Sequence, residues 1–126
     1  MNNAIELIGR IFLGHIFVMA GVNKLGEGYA GTAGYMDSMG IPGGLLPVVI
    51  ALEIVGGLMV ILGFKVQWAA YALAGFTVLA GIILHSNFAD QMQMILFMKN
   101  ISIAGGLLLL SVHGARYFSL DKKFSA

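Results

Sequence analysis

Four long apolar stretches organise the chain, and each approaches the ~20 residues that a helix needs to cross ~30 Å of hydrocarbon. They run from about Ala4 to Lys24, Leu45 to Leu62, Val66 to His85 and Met94 to His113. Pro47 falls in the first turn of the second stretch, where a helix tolerates proline. The pattern predicts an all-α polytopic membrane protein, one four-helix domain spanning residues 1–126. Two of the three connections are short. The first, LGEGYAGTAGYMDSMGIPGG over 25–44, holds seven glycines and one proline. Within it, Thr32 suits the cap of a short helix running through Met39, with Tyr35, Met36 and Met39 on the apolar side. Gly40 would end that helix and Pro42 would keep it from resuming. The plain alternative is a flexible loop.

Composition supports the membrane reading. Hydrophobic residues make up 59% of the chain and charged residues 10%, whereas a soluble domain carries roughly a quarter charged residues. A chain this short cannot bury so much apolar surface in one aqueous core. The absence of cysteine removes disulfides, thiolate metal ligands, thiol nucleophiles and dithiol redox relays. A net charge of +1 gives no nucleic-acid surface. GEGYAG matches the dinucleotide pattern GxGxxG, but no strand precedes it, so the match is fortuitous. Glu6 precedes the apolar core of the first stretch and Arg10 interrupts it, so the segment reads as a retained helix and not a cleaved signal.

Lysine and arginine placement sets the expected orientation. Arg10, Lys65, Arg116, Lys122 and Lys123 fall on one side, and Lys24 and Lys99 on the other. The positive-inside rule then puts both termini in the cytoplasm. The tail RYFSLDKKFSA reads as a basic anchor to anionic lipid, with Tyr117, Phe118 and Trp68 as interfacial contacts. Small residues supply smooth faces for helix contacts in lipid, among them Gly14, Gly21, Gly56, Gly57, Gly81, Gly105 and Gly106.

Charges inside the spans are the sharpest chemical signal, since each costs on the order of 2.5–3.5 kcal/mol at a helix centre on insertion scales. Glu53 lies eight residues into the second span, ~12 Å deep. It must face the bundle interior and find a cation there, or be protonated. Arg10 is the expected partner, with Glu6 one turn away on the same face. A Glu6–Arg10–Glu53 network could fix helix packing, or could form a proton- or ligand-responsive site. Phe17, Gly21 and Lys24 share one wall of the first helix with Arg10, each within ~40° of it. His15 faces elsewhere. At the outer ends, Lys24, His85, Lys99 and Asn100 would form a polar pocket with Glu53 at its floor, flanked by Asn87, Asp90, Gln91 and Gln93. Such a donor set suits a carbonyl, a quinone-like ring or an anionic head group. The alternative is lysines that reach the water interface beside a helix-end histidine. Glu53, His85 and Asp90 include metal-ligand types, but their spacing follows no metal motif and the lysines oppose a cation, so no metal is expected.

Read in order, RIFLGHIFVMAGVNKL, GTAGYMDSMGIPG, ALEIVGGLMVILGF, FMKNISIAGGLLLL and the closing HGARYFSLD resemble the DoxX family of small bacterial membrane proteins. The resemblance implies a four-helix bundle of the inner membrane. It gives weight to Arg10, Gly21, Lys24, Glu53, Gly56, Gly57, Lys99 and Asn100. It also implies a link to redox complexes, through the association that gave the family its name with a subunit of a thiosulfate:quinone oxidoreductase. The architecture is similar to that of quinone-linked thiol oxidoreductases such as vitamin K epoxide reductase, whose cysteines this chain lacks. Three functions follow as expectations. The chain could be a membrane subunit of a redox-linked complex that binds a quinone or lipid-like ligand, with protein partners or further copies of itself. It could be an enzyme with Glu53 as acid/base and Lys24, His85 or Lys99 stabilising charge. It could be an oligomeric transporter or channel.

Overall fold

A computed structural model describes residues 2–116 and 118–124, the last without its side chain. Tyr117, expected at the interface, lies outside the described residues. The chain runs through α1 (Asn2–Asn23), α2 (Gly28–Ser38), a 3₁₀ turn (Gly43–Leu45), α3 (Leu46–Leu62), α4 (Val66–Leu84), α5 (Gln91–His113) and a short α6 (Leu120–Phe124). Four helices are long and apolar enough to span a bilayer: α1, α3 with its leading turn, α4 and α5. α5 starts three residues before the apolar run, because the Asp90 carboxylate accepts the Met92 N–H at 3.0 Å and so caps the helix.

The glycine-rich connection is helical, but it starts earlier than expected. The Tyr29 N–H donates to the Gly26 carbonyl at 3.1 Å, and α2 begins at Gly28. Thr32 therefore sits inside the helix, where its hydroxyl donates to the Gly28 carbonyl at 2.8 Å, and does not cap it. Of the three apolar side chains expected inward, only Met36 is buried, against Leu46 and Ile50; Tyr35 and Met39 are exposed. Gly40 ends α2 in the left-handed region (φ 82°). The Asp37 carboxylate then accepts the Gly43 N–H at 2.7 Å, which holds the turn at the head of α3.

Helix packing follows the small residues. α1 packs chiefly on α3, α4 packs chiefly on α5, and α3 against α4 joins the two pairs. A methyl group on Gly14 would lie 2.7 Å from the Gly57 carbonyl oxygen, and one on Gly57 would lie 2.8 Å from that of Gly14. The α1 and α3 backbones thus touch at this level. Higher up, Gly21 faces Ile50 and Glu53, and Gly56 faces Leu73. These approaches fix the register of the antiparallel α1–α3 pair. The core is Phe17, Val60, Leu73, Ala70, Ala104 and Leu107, all buried. Most large apolar side chains instead face outward, as Phe12, Leu79, Leu109 and Val112 do. Water would penalise that surface, whereas lipid does not.

Candidate functional site

The bundle has two ends of different chemistry. The basic end carries the start of α1, the α3–α4 turn and the tail; the other carries α2 and the α4–α5 connection. Each end holds its own charged cluster.

Lys24 and Glu53 meet toward the α2 end. The ammonium lies 2.8 Å from the Glu53 Oε1, with the glutamate side chain 5% exposed and the lysine 25%. Lys24 stands at the end of α1, and its chain folds back along that helix, so that Nζ also donates to the Ala20 carbonyl at 3.2 Å. Gly21 is what permits this. Lacking a side chain, it lets α3 approach until a methyl group there would be 3.3 Å from the Glu53 Cβ. The contact is an ion pair rather than an aligned hydrogen bond, leaving Oε1 a buried acceptor held by charge.

Arg10 is not the partner of Glu53. It is 2% exposed at the basic end, level with the last turn of α3, where its guanidinium donates to the Ile61 carbonyl at 3.0 Å and to the Phe118 carbonyl at 2.9 Å. Ile61 is eight residues along α3 from Glu53, ~12 Å at 1.5 Å rise per residue, beyond an arginine's reach across the seam. The expected Glu6–Arg10 contact is present at 3.7 Å, and Glu6 also accepts the Arg116 N–H at 2.7 Å. The tail is consequently folded against the bundle. Asp121 seals it by accepting the Lys65 N–H at 2.6 Å and the Val66 N–H at 2.9 Å, two of the orphan donors at the start of α4. Its own N–H donates to the Gly63 carbonyl at 2.8 Å. Gly63 is left-handed (φ 69°), and a methyl group there would be 2.5 Å from an Arg10 nitrogen, so both space and backbone require glycine.

The remaining candidates divide between separate contacts. The Asn100 amide donates to the Thr77 carbonyl at 3.2 Å across the α4–α5 seam. The His85 Nδ1 lies 3.1 Å from the Gln93 Oε1. Lys99 is exposed. His15 is exposed on α1, with Nδ1 2.6 Å from the Phe12 carbonyl. The structure thus joins Lys24 to Glu53 on the α1–α3 seam and sets Asn100 and His85 on the α4–α5 side. Asp121, Thr77 and the Phe118 carbonyl complete these clusters without having been singled out in the sequence, whereas Gln93 is the flanking residue expected near His85. The only hint was an acidic residue closing an otherwise basic tail.

The comparisons with known proteins agree with this architecture. The DoxX family model matches residues 5–86, the segment that contains Arg10, Lys24 and Glu53. The chain is similar to the inner membrane protein YqjF of Escherichia coli K12, 46% identical over 92% of this chain and 88% of that protein. It is also similar to the inner membrane protein YphA of the same organism, 36% identical over 93% and 88%. A more distant relative, 31% identical over 96% and 90%, is named "Putative oxidoreductase CatD" in Bacillus subtilis 168. The comparison with solved structures gives no match. With four apolar spans, a charge paired inside them and a family match over most of its length, this chain belongs to the DoxX family of membrane proteins.

Proposed function

We propose that this chain is a non-catalytic integral subunit of a redox-linked inner-membrane complex, with both termini in the cytoplasm. In this reading it receives the head group of a quinone or lipid-like ligand at the Lys24–Glu53 pair. The carrying observation is the state of the Lys24 ammonium. It has three N–H donors; one goes to the Ala20 carbonyl, and the ammonium charge is paired with Glu53. The side chain is one quarter exposed, and its remaining donors suit a carbonyl or phosphate oxygen. His85, Lys99 and Asn100, at the same end of α4 and α5, would line the approach. The redox link draws on the oxidoreductase named among the relatives, and the location draws on the two inner membrane proteins. The orientation draws on Arg10, Lys65, Arg116 and Lys122, which gather at one end.

The test is to purify the chain from native membranes in mild detergent after crosslinking, then extract it for mass spectrometry. Copurifying quinone or partner subunits, with the quinone lost in Lys24→Met, supports the reading. A chain that emerges free of both contradicts it.

A second reading has a specific observation behind it. The buried Oε1 of Glu53 has no aligned hydrogen bond, as an acid/base poised for a substrate proton would. In that case Glu53→Gln abolishes a measurable activity of the complex while the helical bundle stays folded. Full activity in the folded variant excludes it.

A further inference from the structure

The basic end holds a second feature, on the opposite side of the membrane from Lys24 and Glu53. A groove of about 740 Å³ opens between the start of α4, the end of α5 and the folded tail. Lys65, Arg116 and Lys122 line it against one carboxylate, that of Asp121. That carboxylate is already engaged by the Lys65 and Val66 N–H groups. Gln67 and Ser111 form the polar floor, with the Gln67 amide donating to the Ser111 carbonyl at 3.3 Å. Trp68 completes the wall and is 71% exposed on the outer face of α4, one turn from the helix start. An exposed tryptophan there marks the head-group level of the bilayer.

The backbone around the groove is held in an uncommon form. Lys65 (φ 44°) and Phe118 (φ 42°) are non-glycine residues in the left-handed region, which L side chains seldom adopt. Asp121 fixes the first by accepting its N–H, and Arg10 fixes the second by donating to its carbonyl. The tail contacts therefore set the Lys65 backbone at the groove wall, beside Arg116, whose own N–H is tied to Glu6.

We propose that this groove binds the phosphate head group of an anionic phospholipid, with Lys65 and Arg116 on the phosphate and Trp68 against the adjoining glycerol and upper acyl chain. The ligand should be amphipathic, because the groove joins the Lys65 and Arg116 cations to two largely exposed apolar side chains, Trp68 and Val112. Basic pockets between spans at the cytoplasmic face take such head groups.

Trp68 is the sole tryptophan, so its fluorescence reports on this groove alone. The purified full chain is reconstituted in bilayers containing phosphatidylglycerol or phosphatidylcholine with brominated acyl chains, which quench a tryptophan on contact. At about five-fold per cation near the surface, Trp68 should select phosphatidylglycerol roughly 25-fold over phosphatidylcholine. The variant Lys65→Gln with Arg116→Gln should lose that selectivity, and Lys65→Arg with Arg116→Lys should keep it. Lys123→Gln, outside the groove, should leave it within about two-fold. Should the neutral pair not fold by circular dichroism, each single variant carries the comparison with a loss of about five-fold. Equal quenching by both lipids in the unaltered chain, or unchanged selectivity in the neutral variants, overturns the proposal. Relief of the quenching by millimolar inorganic phosphate also overturns it, by showing a soluble-anion site instead.

Discussion

The Lys24–Glu53 pair should respond unequally to loss of its two members. Replacing Lys24 by Met strands a carboxylate whose side chain is 5% exposed, with Oε1 already lacking an aligned hydrogen bond. Removing one partner of a buried pair costs about 3–5 kcal/mol. Replacing Glu53 by Gln strands a lysine instead. That lysine is 25% exposed at the end of its helix, keeps the Ala20 carbonyl, and can reach the water interface. The glutamine carbonyl can still accept from it. The cost should be about 1 kcal/mol, in the range of a partly exposed pair. The two variants should therefore differ by about 2–4 kcal/mol. Reversible unfolding in mixed micelles, titrating a denaturing detergent into a mild one and following helicity, measures both. A Glu53→Gln variant as unstable as Lys24→Met, or less stable, would refute the reasoning, since it would mean that the glutamate supports packing in some way other than through Lys24.

Other expectations concern the basic end and the glycine seams. Arg10→Met removes two charge-assisted bonds of about 1.5–3 kcal/mol each; the tail should be released, and trypsin should cleave after Arg116 at least ten-fold faster, whereas unchanged protection would deny the clamp. Asp121→Ala uncaps α4 and should cost about 1–2 kcal/mol in the same micelle titration, with Asp121→Asn recovering part of it. Gly57→Ala forces a methyl group against the Gly14 carbonyl and should cost about 1–3 kcal/mol. Gly105→Ala, on an open face of α5, should be neutral or slightly stabilising; equal losses at the two glycines would contradict the seam.

The spans were legible because each is an unbroken apolar run of membrane length, and no soluble alternative accounts for 59% hydrophobic residues. The burial of Glu53 was legible for the same reason: at that depth a carboxylate has no route to water. Its partner was not. Arg10 and Lys24 share one wall of α1, and the choice between them depends on how far α3 slides along α1. Contacts at Gly14–Gly57 and Gly21–Ile50 set that slide, and glycines spaced seven apart on α1 and elsewhere permit several registers. Once the register is known, Arg10 falls beside Ile61 and Lys24 is left to reach down to Glu53.

The fold of the tail was not legible. Its lysines and aromatic residues suggest contact with lipid, but nothing in them shows that the Phe118 carbonyl and the Asp121 carboxylate tie it to Arg10 and to α4. A backbone carbonyl accepting from a residue more than a hundred positions away leaves no mark in the sequence. Thr32 erred by position alone. Threonine is common at helix starts, but here the chain turns into α2 directly after Gly26, one helical turn earlier.

The central claim is that the intramembrane charges form two separate clusters, with Glu53 belonging to Lys24 and Arg10 to the tail. Two double-mutant cycles in the micelle unfolding assay test it most directly, one on Lys24→Met with Glu53→Gln and one on Arg10→Met with Glu53→Gln. Contacting charges should show a coupling of about 1.5–3 kcal/mol for the first pair, and separated sites should be additive within about 0.5 kcal/mol for the second. Additivity at Lys24–Glu53 together with strong coupling at Arg10–Glu53 would contradict the account.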